Sequence, residues 1–184
     1  METKDLLRTN AKLIRKSLDT KRISEMIVEH ILSWDKYKNA KNVMLFYPLE
    51  YEISLLSLLN YKDKAFYFPV TDDEIYPVRY SEESGFKTGK FSILEPIGEK
   101  LVDLNKLDLI FIPALAADKL GYRLGYGKGF YDRFLLKIST KTTKVVPVAN
   151  QLYTEKLITE SHDKKSDFVI TENGIHRTLT YMAK

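Results

Sequence analysis

The sequence predicts a layered α/β fold with a largely parallel sheet, and three observations support this. Apolar residues first recur at helical spacing, then gather into short runs stopped by proline or glycine. Those runs alternate with further helical stretches, the pattern of strands joined by crossover helices. The chain has 184 residues, 44% of them apolar and 12% aromatic, which is enough to bury a sizeable core without disulfide or metal staples.

The elements follow in order. Residues 2–18 read as an amphipathic helix. At roughly 100° per residue, Leu6, Leu7, Leu13, Ile14 and Leu18 share one arc, while Lys4, Arg8, Lys12 and Lys16 share the opposite one. The helix is expected to end near Asp19 and Thr20. Residues 21–34 repeat the pattern with Ile23, Met26, Ile27, Ile31 and Trp34. The period then changes. Residues 43–47 read as a buried strand stopped by Pro48. Residues 54–59 read as helical with Ser54 as N-cap. Residues 65–68 form a second strand ended by Pro69, and residues 75–80 a third, more exposed one. Residues 81–106 read as polar loop, with turns at Ser84-Gly85 and Gly89. The most apolar strand, 107–112, is expected at the centre of the sheet. A helix over 130–138 and strands over 145–149 and 168–171 complete the chain. Tyr76, Tyr80 and Tyr181 read as partial core.

Composition narrows the function. The absence of Cys excludes a disulfide framework, a cysteine nucleophile and a Cys-ligated zinc site. No apolar run is long enough to span a membrane, and the residues after Met1 carry no secretory leader, so the expected location is the cytoplasm. The net charge of +4 lies in the N-terminal fifth: residues 1–41 hold ten Lys or Arg against six Asp or Glu, and the remainder is balanced. The basic stripe is short and has no interleaved aromatics, so no nucleic-acid partner is expected. With few histidines and no cysteine, His162 and His176 read as solvated loop residues rather than metal ligands.

The densest signal is Gly121-Tyr-Arg-Leu-Gly-Tyr-Gly-Lys-Gly-Phe-Tyr-Asp132. Four of the eight glycines fall within these nine leading positions, between the central strand and a helix. Glycines there allow backbone N–H groups to turn toward a ligand, the helix offers its N-terminus to an anion, and Arg123 and Lys128 add positive charge. This is a phosphate cradle. It is not a Walker A loop, because Tyr122 stands where the first glycine is needed and Gly129 follows Lys128. It is not the dinucleotide pattern either, since Phe130 stands at the third glycine position. Asp132, in the first turn of the helix, is placed as a magnesium ligand beside a polyphosphate.

Arg123-Leu-Gly-Tyr-Gly-Lys-Gly-Phe-Tyr-Asp132 resembles the signature of the 5-formyltetrahydrofolate cyclo-ligase family. So do Lys4-Asp-Leu-Leu-Arg8, Phe46-Tyr47 followed by Glu52-Ile53, Phe91-Ser-Ile-Leu-Glu95-Pro96, Asp108-Leu-Ile-Phe-Ile-Pro113, His162-Asp163 and Asp167-Phe-Val-Ile-Thr171-Glu172, in the right order. The resemblance implies a single three-layer α/β/α domain over residues 1–184. It implies conversion of 5-formyltetrahydrofolate to 5,10-methenyltetrahydrofolate with ATP as co-substrate and Mg2+. It further implies that Lys4, Arg8 and the loop Arg123, Leu124, Gly125, Tyr126, Gly127, Lys128, Gly129, Phe130 and Tyr131 hold the ATP, with Lys128 and Arg123 acting on the transferred group. Tyr47, Glu52, Tyr126 and Phe130 would meet the folate, and Asp132 and Asp163 the magnesium. The partners are then small molecules, and a monomer is expected. The run Pro113-Ala-Leu-Ala-Ala-Asp118 departs from the bulky aromatic that many members carry, a change expected to widen the pocket or to be compensated nearby.

Overall fold

In the computed structural model, which describes residues 2–180, short polar side chains open the first two helices. The Thr3 hydroxyl accepts from Leu6 N at 3.2 Å and starts α1 (Lys4–Lys16). The Asp19 carboxylate accepts from Arg22 N at 3.0 Å and starts α2 (Thr20–Ser33). Next come α3 (Asp35–Asn39), β1 (Asn42–Met44), a 3₁₀ turn (Leu56–Asn60), β2 (Ala65–Thr71) and β3 (Ile75–Arg79). A hairpin, β4 (Phe86–Thr88) and β5 (Leu94–Pro96), precedes β6 (Leu109–Phe111). The chain continues through β7 (Ala116–Asp118), β8 (Arg123–Leu124), α4 (Phe130–Leu135), β9 (Thr143–Pro147), β10 (Tyr153–Thr154), β11 (Phe168–Thr171) and β12 (Gly174–Arg177).

Seven strands form the main sheet in the order β12-β11-β9-β6-β1-β2-β3. The five inner strands run parallel, and the edge strands β12 and β3 are antiparallel to their neighbours. The apolar strand predicted at the centre is β6, fourth of the seven. Side chains alternate between two cores, as period-2 geometry requires. Val43, Leu45, Leu109, Phe111, Val145 and Ile170 pack against Ile27 and Ile31 of α2 and Tyr37 of α3. Met44, Ile110, Ile112, Val146 and Val169 face the other way, onto Phe134 and Leu135 of α4 and Ile138. Both faces are therefore covered, which is why the strands read as continuous apolar runs. A small second sheet, β10-β7-β8, carries α1 through Leu7, Ala11 and Ile14.

Several expectations are corrected. The predicted helix at 54–59 is a 3₁₀ turn whose N-cap is Leu55, not Ser54. The helix predicted over 130–138 ends at Leu135. The loop predicted over 81–106 contains β4 and β5, three-residue strands too short and polar to show a period. In α1, Leu6 and Leu13 are exposed (48% and 61%), while Arg15, on the side away from them, is buried at 7%. His176 is not in a loop: it lies on β12, hydrogen-bonded to Thr171 Oγ1 at 3.0 Å and stacked on Tyr153. Tyr80 is partly buried against the α2-side core, and Tyr181 lies outside the described residues. No helix among the described residues is long and apolar enough to cross a membrane.

Candidate active site

The strand order places the site. From β1 the chain moves to β2 on one side and later returns to β6 on the other, so the crossovers diverge above the β1–β6 pair. In open parallel sheets ligands bind in the crevice outside the carboxyl ends of strands at such a point. A cleft of about 330 Å3 opens there, within the size range of small-molecule sites. Its floor is Phe46 and Tyr47 after β1, Pro113 after β6, and Pro69 and Thr71 at the end of β2. All the residues that sequence singled out line this cleft: Lys4, Arg8, Tyr47, Glu52, the whole of 123–132, and Asp163. Of the departure run only Pro113 lines it. Ala114 to Ala117 are buried in the cores beneath.

The glycine loop takes its shape from backbone conformations that L-residues avoid. Gly127 has φ +97° and Gly129, which caps α4, has φ +68°. α4 has only six residues, so what it offers a ligand is its first-turn N–H groups rather than a long dipole. The cations around the loop are held by internal partners. Arg8 donates through Nε to Gly125 O at 2.9 Å and through a terminal nitrogen to Asp5 at 2.6 Å. Lys4 Nζ donates to Asp163 at 2.7 Å and Glu160 at 2.9 Å. Burial acts to lower the Lys4 ammonium, but hydrogen bonds and charge from those carboxylates outweigh it and hold the group above its ordinary range. Burial likewise acts to raise Asp163, but hydrogen bonds from Lys4 and Glu160 N outweigh it and hold the carboxyl below the usual range. Arg123 donates to Asp132 at 3.1 Å and to Lys164 O at 3.3 Å. Its Nε is buried without a hydrogen-bond partner among the described residues, as is the hydroxyl of Tyr131. Two free donors in a cleft wall are costly unless a ligand completes them.

Lys128 differs. Its ammonium sits 3.4 Å from the centroid of the Phe91 ring, a cation–π contact across the cleft. Phe91 is the tip of the β4–β5 hairpin, where Phe91 (φ 61°) and Ser92 (φ 58°) both adopt the left-handed conformation that favours Asn and Gly.

The folate candidates adjoin the loop, and two of them, Tyr126 and Phe130, belong to it. Glu52 is 7% exposed. Its carboxylate accepts from Leu49 N at 2.9 Å and from the Tyr126 hydroxyl at 2.7 Å. Burial raises it above the usual carboxylate range, against the opposing pull of those two donors and of Arg15. Tyr47 packs edge-on against Phe86 at 5.0 Å.

Sequence reasoning left several cleft groups unassigned: Arg15 behind Tyr126, the Phe91 tip, Glu95, and Glu160. Glu95 is buried and accepts from Thr71 N at 2.9 Å. Glu160, His162 and Asp163 form a cluster of ligand atoms within 4.8 Å of one another, so the exposed His162 stands beside the cleft carboxylates rather than apart from them. Arg15 and Glu160 carry no local pattern, and the segment 91–96 that holds Phe91 and Glu95 is matched without a role for either. Each acquires its place only through contacts with distant segments.

The model of the 5-formyltetrahydrofolate cyclo-ligase family matches residues 1–172. The chain belongs to that family. As a cyclo-ligase family member it is an enzyme of the ligase class. It is 33% identical over 170 residues to the 5-formyltetrahydrofolate cyclo-ligase of Haemophilus influenzae, covering 85% of this chain and 91% of that one. The mouse 5-formyltetrahydrofolate cyclo-ligase is 28% identical, covering 83% of this chain and 84% of its own. Among solved structures, the 5,10-methenyltetrahydrofolate synthetase of Aquifex aeolicus superposes with a TM-score of 0.86 at 31% identity, over 98% of this chain and 95% of that one. The cyclo-ligase fold found here is thus the fold of that synthetase.

Proposed function

We propose that this chain converts 5-formyltetrahydrofolate to 5,10-methenyltetrahydrofolate in an ATP- and Mg2+-dependent reaction that releases ADP and phosphate. The observation that carries the reading is the convergence, in one cleft, of a cation-bearing glycine loop and a buried, hydrogen-bonded carboxylate between aromatic walls. Family membership supports the same assignment. The formyl group on N5 is an amide and a poor electrophile. Transfer of the γ-phosphoryl to the formyl oxygen, with departure of ADP, makes that oxygen a leaving group. N10 then attacks the formyl carbon and gives up its proton. The carbon–oxygen bond breaks with its electron pair going to phosphate, and the ring closes.

Such a reaction is accelerated by positioning and charge neutralisation. Lys4, Arg8, Arg123 and the backbone of 124–131 hold the nucleotide phosphates. Lys128 leaves the Phe91 ring to neutralise the transferred group, and Arg123 completes its unpartnered Nε on the same side. Glu52 accepts hydrogen bonds from the pterin, between Tyr47, Tyr126 and Phe130.

The donor set fits Mg2+, which takes one or two carboxylates together with substrate phosphates. Asp132 and Asp163 are hard oxygen donors now paired with Arg123 and Lys4. Phosphate oxygens that take over those two cations release the carboxylates for the metal. When bound, Mg2+ supplies charge neutralisation on the phosphates.

The test is an absorbance assay with purified protein, 5-formyltetrahydrofolate, ATP and Mg2+, following the methenyl chromophore. The signal is expected to grow, and to stop when ATP or Mg2+ is omitted. Folded protein that gives no signal with all components present refutes the assignment.

A further inference from the structure

Arg15 has no part in the reaction as derived so far, yet it is the most thoroughly bonded cation near the cleft. It lies on α1, 7% exposed. Its guanidinium donates to Tyr51 O at 3.0 Å, to the Tyr126 hydroxyl at 2.8 Å and to Glu50 O at 3.5 Å. Tyr51, which presents that carbonyl, holds a left-handed backbone at φ 63°. A turn that keeps a tyrosine in this conformation is held there by its surroundings.

The chain of bonds has a direction. A phenol has one proton. Because Tyr126 accepts from Arg15, its own proton is free to point onward, and it donates to Glu52 Oε1 at 2.7 Å. The other oxygen, Oε2, accepts from Leu49 N. A carboxylate offers about four lone-pair positions, so two remain for the cleft that Glu52 lines.

We propose that Arg15 is a positioning residue that acts through the Tyr126 hydroxyl to keep Glu52 ionised and aimed into the cleft as a two-point acceptor. That Glu52 meets the pterin rests on the function proposed above; that Arg15 sets its charge and orientation does not. The groups facing Glu52 are Arg15 from α1, Tyr126 from the glycine loop and Tyr131 from α4. Arg15 is the one cation in that set, so its loss leaves a buried carboxylate with neutral donors alone. Burial already pushes Glu52 upward. Removing an opposite charge from its surroundings pushes it further, by about one pH unit or more.

The experiment is a carbon-13 NMR titration of glutamate carboxyls in the ligand-free protein, with the Glu52 signal assigned by its loss in Glu52→Gln. The same variants are then assayed for 5-formyltetrahydrofolate binding by calorimetry across the same pH range. Arg15→Met is expected to move the Glu52 midpoint up by about one unit or more, and Arg15→Lys to restore it. The acid limb of folate binding should move by the same amount. An unchanged midpoint in folded Arg15→Met overturns the proposal, as does a uniform loss of binding with no shift in midpoint. Should Arg15→Met not fold, Tyr126→Phe removes the same relay, and it too must raise the midpoint. A midpoint that moves while folate binding ignores it leaves the Arg15 role standing and removes Glu52 from the folate site.

Discussion

The glycine loop can be tested by comparing two of its glycines, because the structure gives them opposite local costs. At Gly127 the backbone has φ +97°, and an added Cβ would lie 3.4 Å from the Arg8 guanidinium carbon. At Gly125 φ is ordinary, and an added Cβ would have no heavy atom within 4 Å. Gly127→Ala must therefore carry a left-handed alanine, which costs roughly 1–2 kcal/mol. For a chain of this length each kcal/mol lowers Tm by roughly 2–4 °C, so a drop of about 2–8 °C is expected. That loss is small against a typical stability of roughly 5–15 kcal/mol, and the variant stays folded. Gly125→Ala should melt within about 2 °C of wild type, since surface changes without strain or clash cost roughly 0.5 kcal/mol or less. If the loop wraps phosphates, both methyl groups obstruct the nucleotide. ATP affinity should then fall about tenfold or more in each, equivalent to about 1.4 kcal/mol, while affinity for the folate changes little. Calorimetric binding together with thermal melts separates the two effects. ATP affinity unchanged in Gly125→Ala would refute close backbone approach to the phosphates. An unchanged Tm in Gly127→Ala would refute the assigned backbone geometry.

Lys128→Ala should lower turnover by about a hundredfold or more with Tm falling by no more than about 4 °C, since losing the cation–π contact with Phe91 costs roughly 0.5–1 kcal/mol; a folded variant with wild-type turnover removes Lys128 from the mechanism. Asp132→Asn breaks an ion pair in which Arg123 is 6% exposed and Asp132 18%, so a stability loss on the order of 3 kcal/mol is expected in denaturant titration, together with a weaker Mg2+ dependence; no change in either would place Arg123 and Asp132 outside the proposed roles. Asp163 is held below its ordinary value, so it contributes stability above the unfolded pKa near 3.8 that disappears as pH falls through the lower folded value. Unfolding free energies measured between about pH 5 and pH 2 should show that loss, and Lys4→Met should flatten it; an equal slope in the variant would mean that Lys4 does not set the Asp163 charge.

What the sequence made legible follows the physics of each element. The inner strands announced themselves because a sheet covered on both faces needs apolar residues at every position, as in Leu109, Ile110 and Phe111. The glycine loop did so because positive φ at Gly127 and Gly129 admits few other residues. The small sheet and the β4–β5 hairpin stayed hidden, because strands of two or three residues show no period, and the β10–β7 pairing that joins the small sheet is made between distant segments. Arg15 and Glu160 were hidden for the same reason. Arg15 bonds Tyr126, 111 positions away, and Glu160 meets Lys4 across 156.

Site and fold share the helix α1. At roughly 100° per residue, Lys4, Arg8 and Arg15 fall within about 40° of one another, with Ala11 on the adjoining arc and Leu7 and Ile14 beyond it. Leu6 and Leu13 lie on the far side and are exposed. The helix therefore does not bury its most apolar arc. It buries the boundary between its apolar and basic arcs, with Leu7, Ala11 and Ile14 on the small sheet and the three cations against the cleft. An amphipathic reading assumes that water is the alternative to the core, and so places the basic stripe outside. Here the alternative to the core is a cleft supplying Asp163, Gly125 O and Tyr126 as partners, and that changes which face is inward. Lys12 and Lys16 belong to the same stripe by composition but are exposed. The distinction between ligand-facing and solvated lysines is thus made by what stands opposite each position in the folded chain, and the spacing along the helix alone does not contain it.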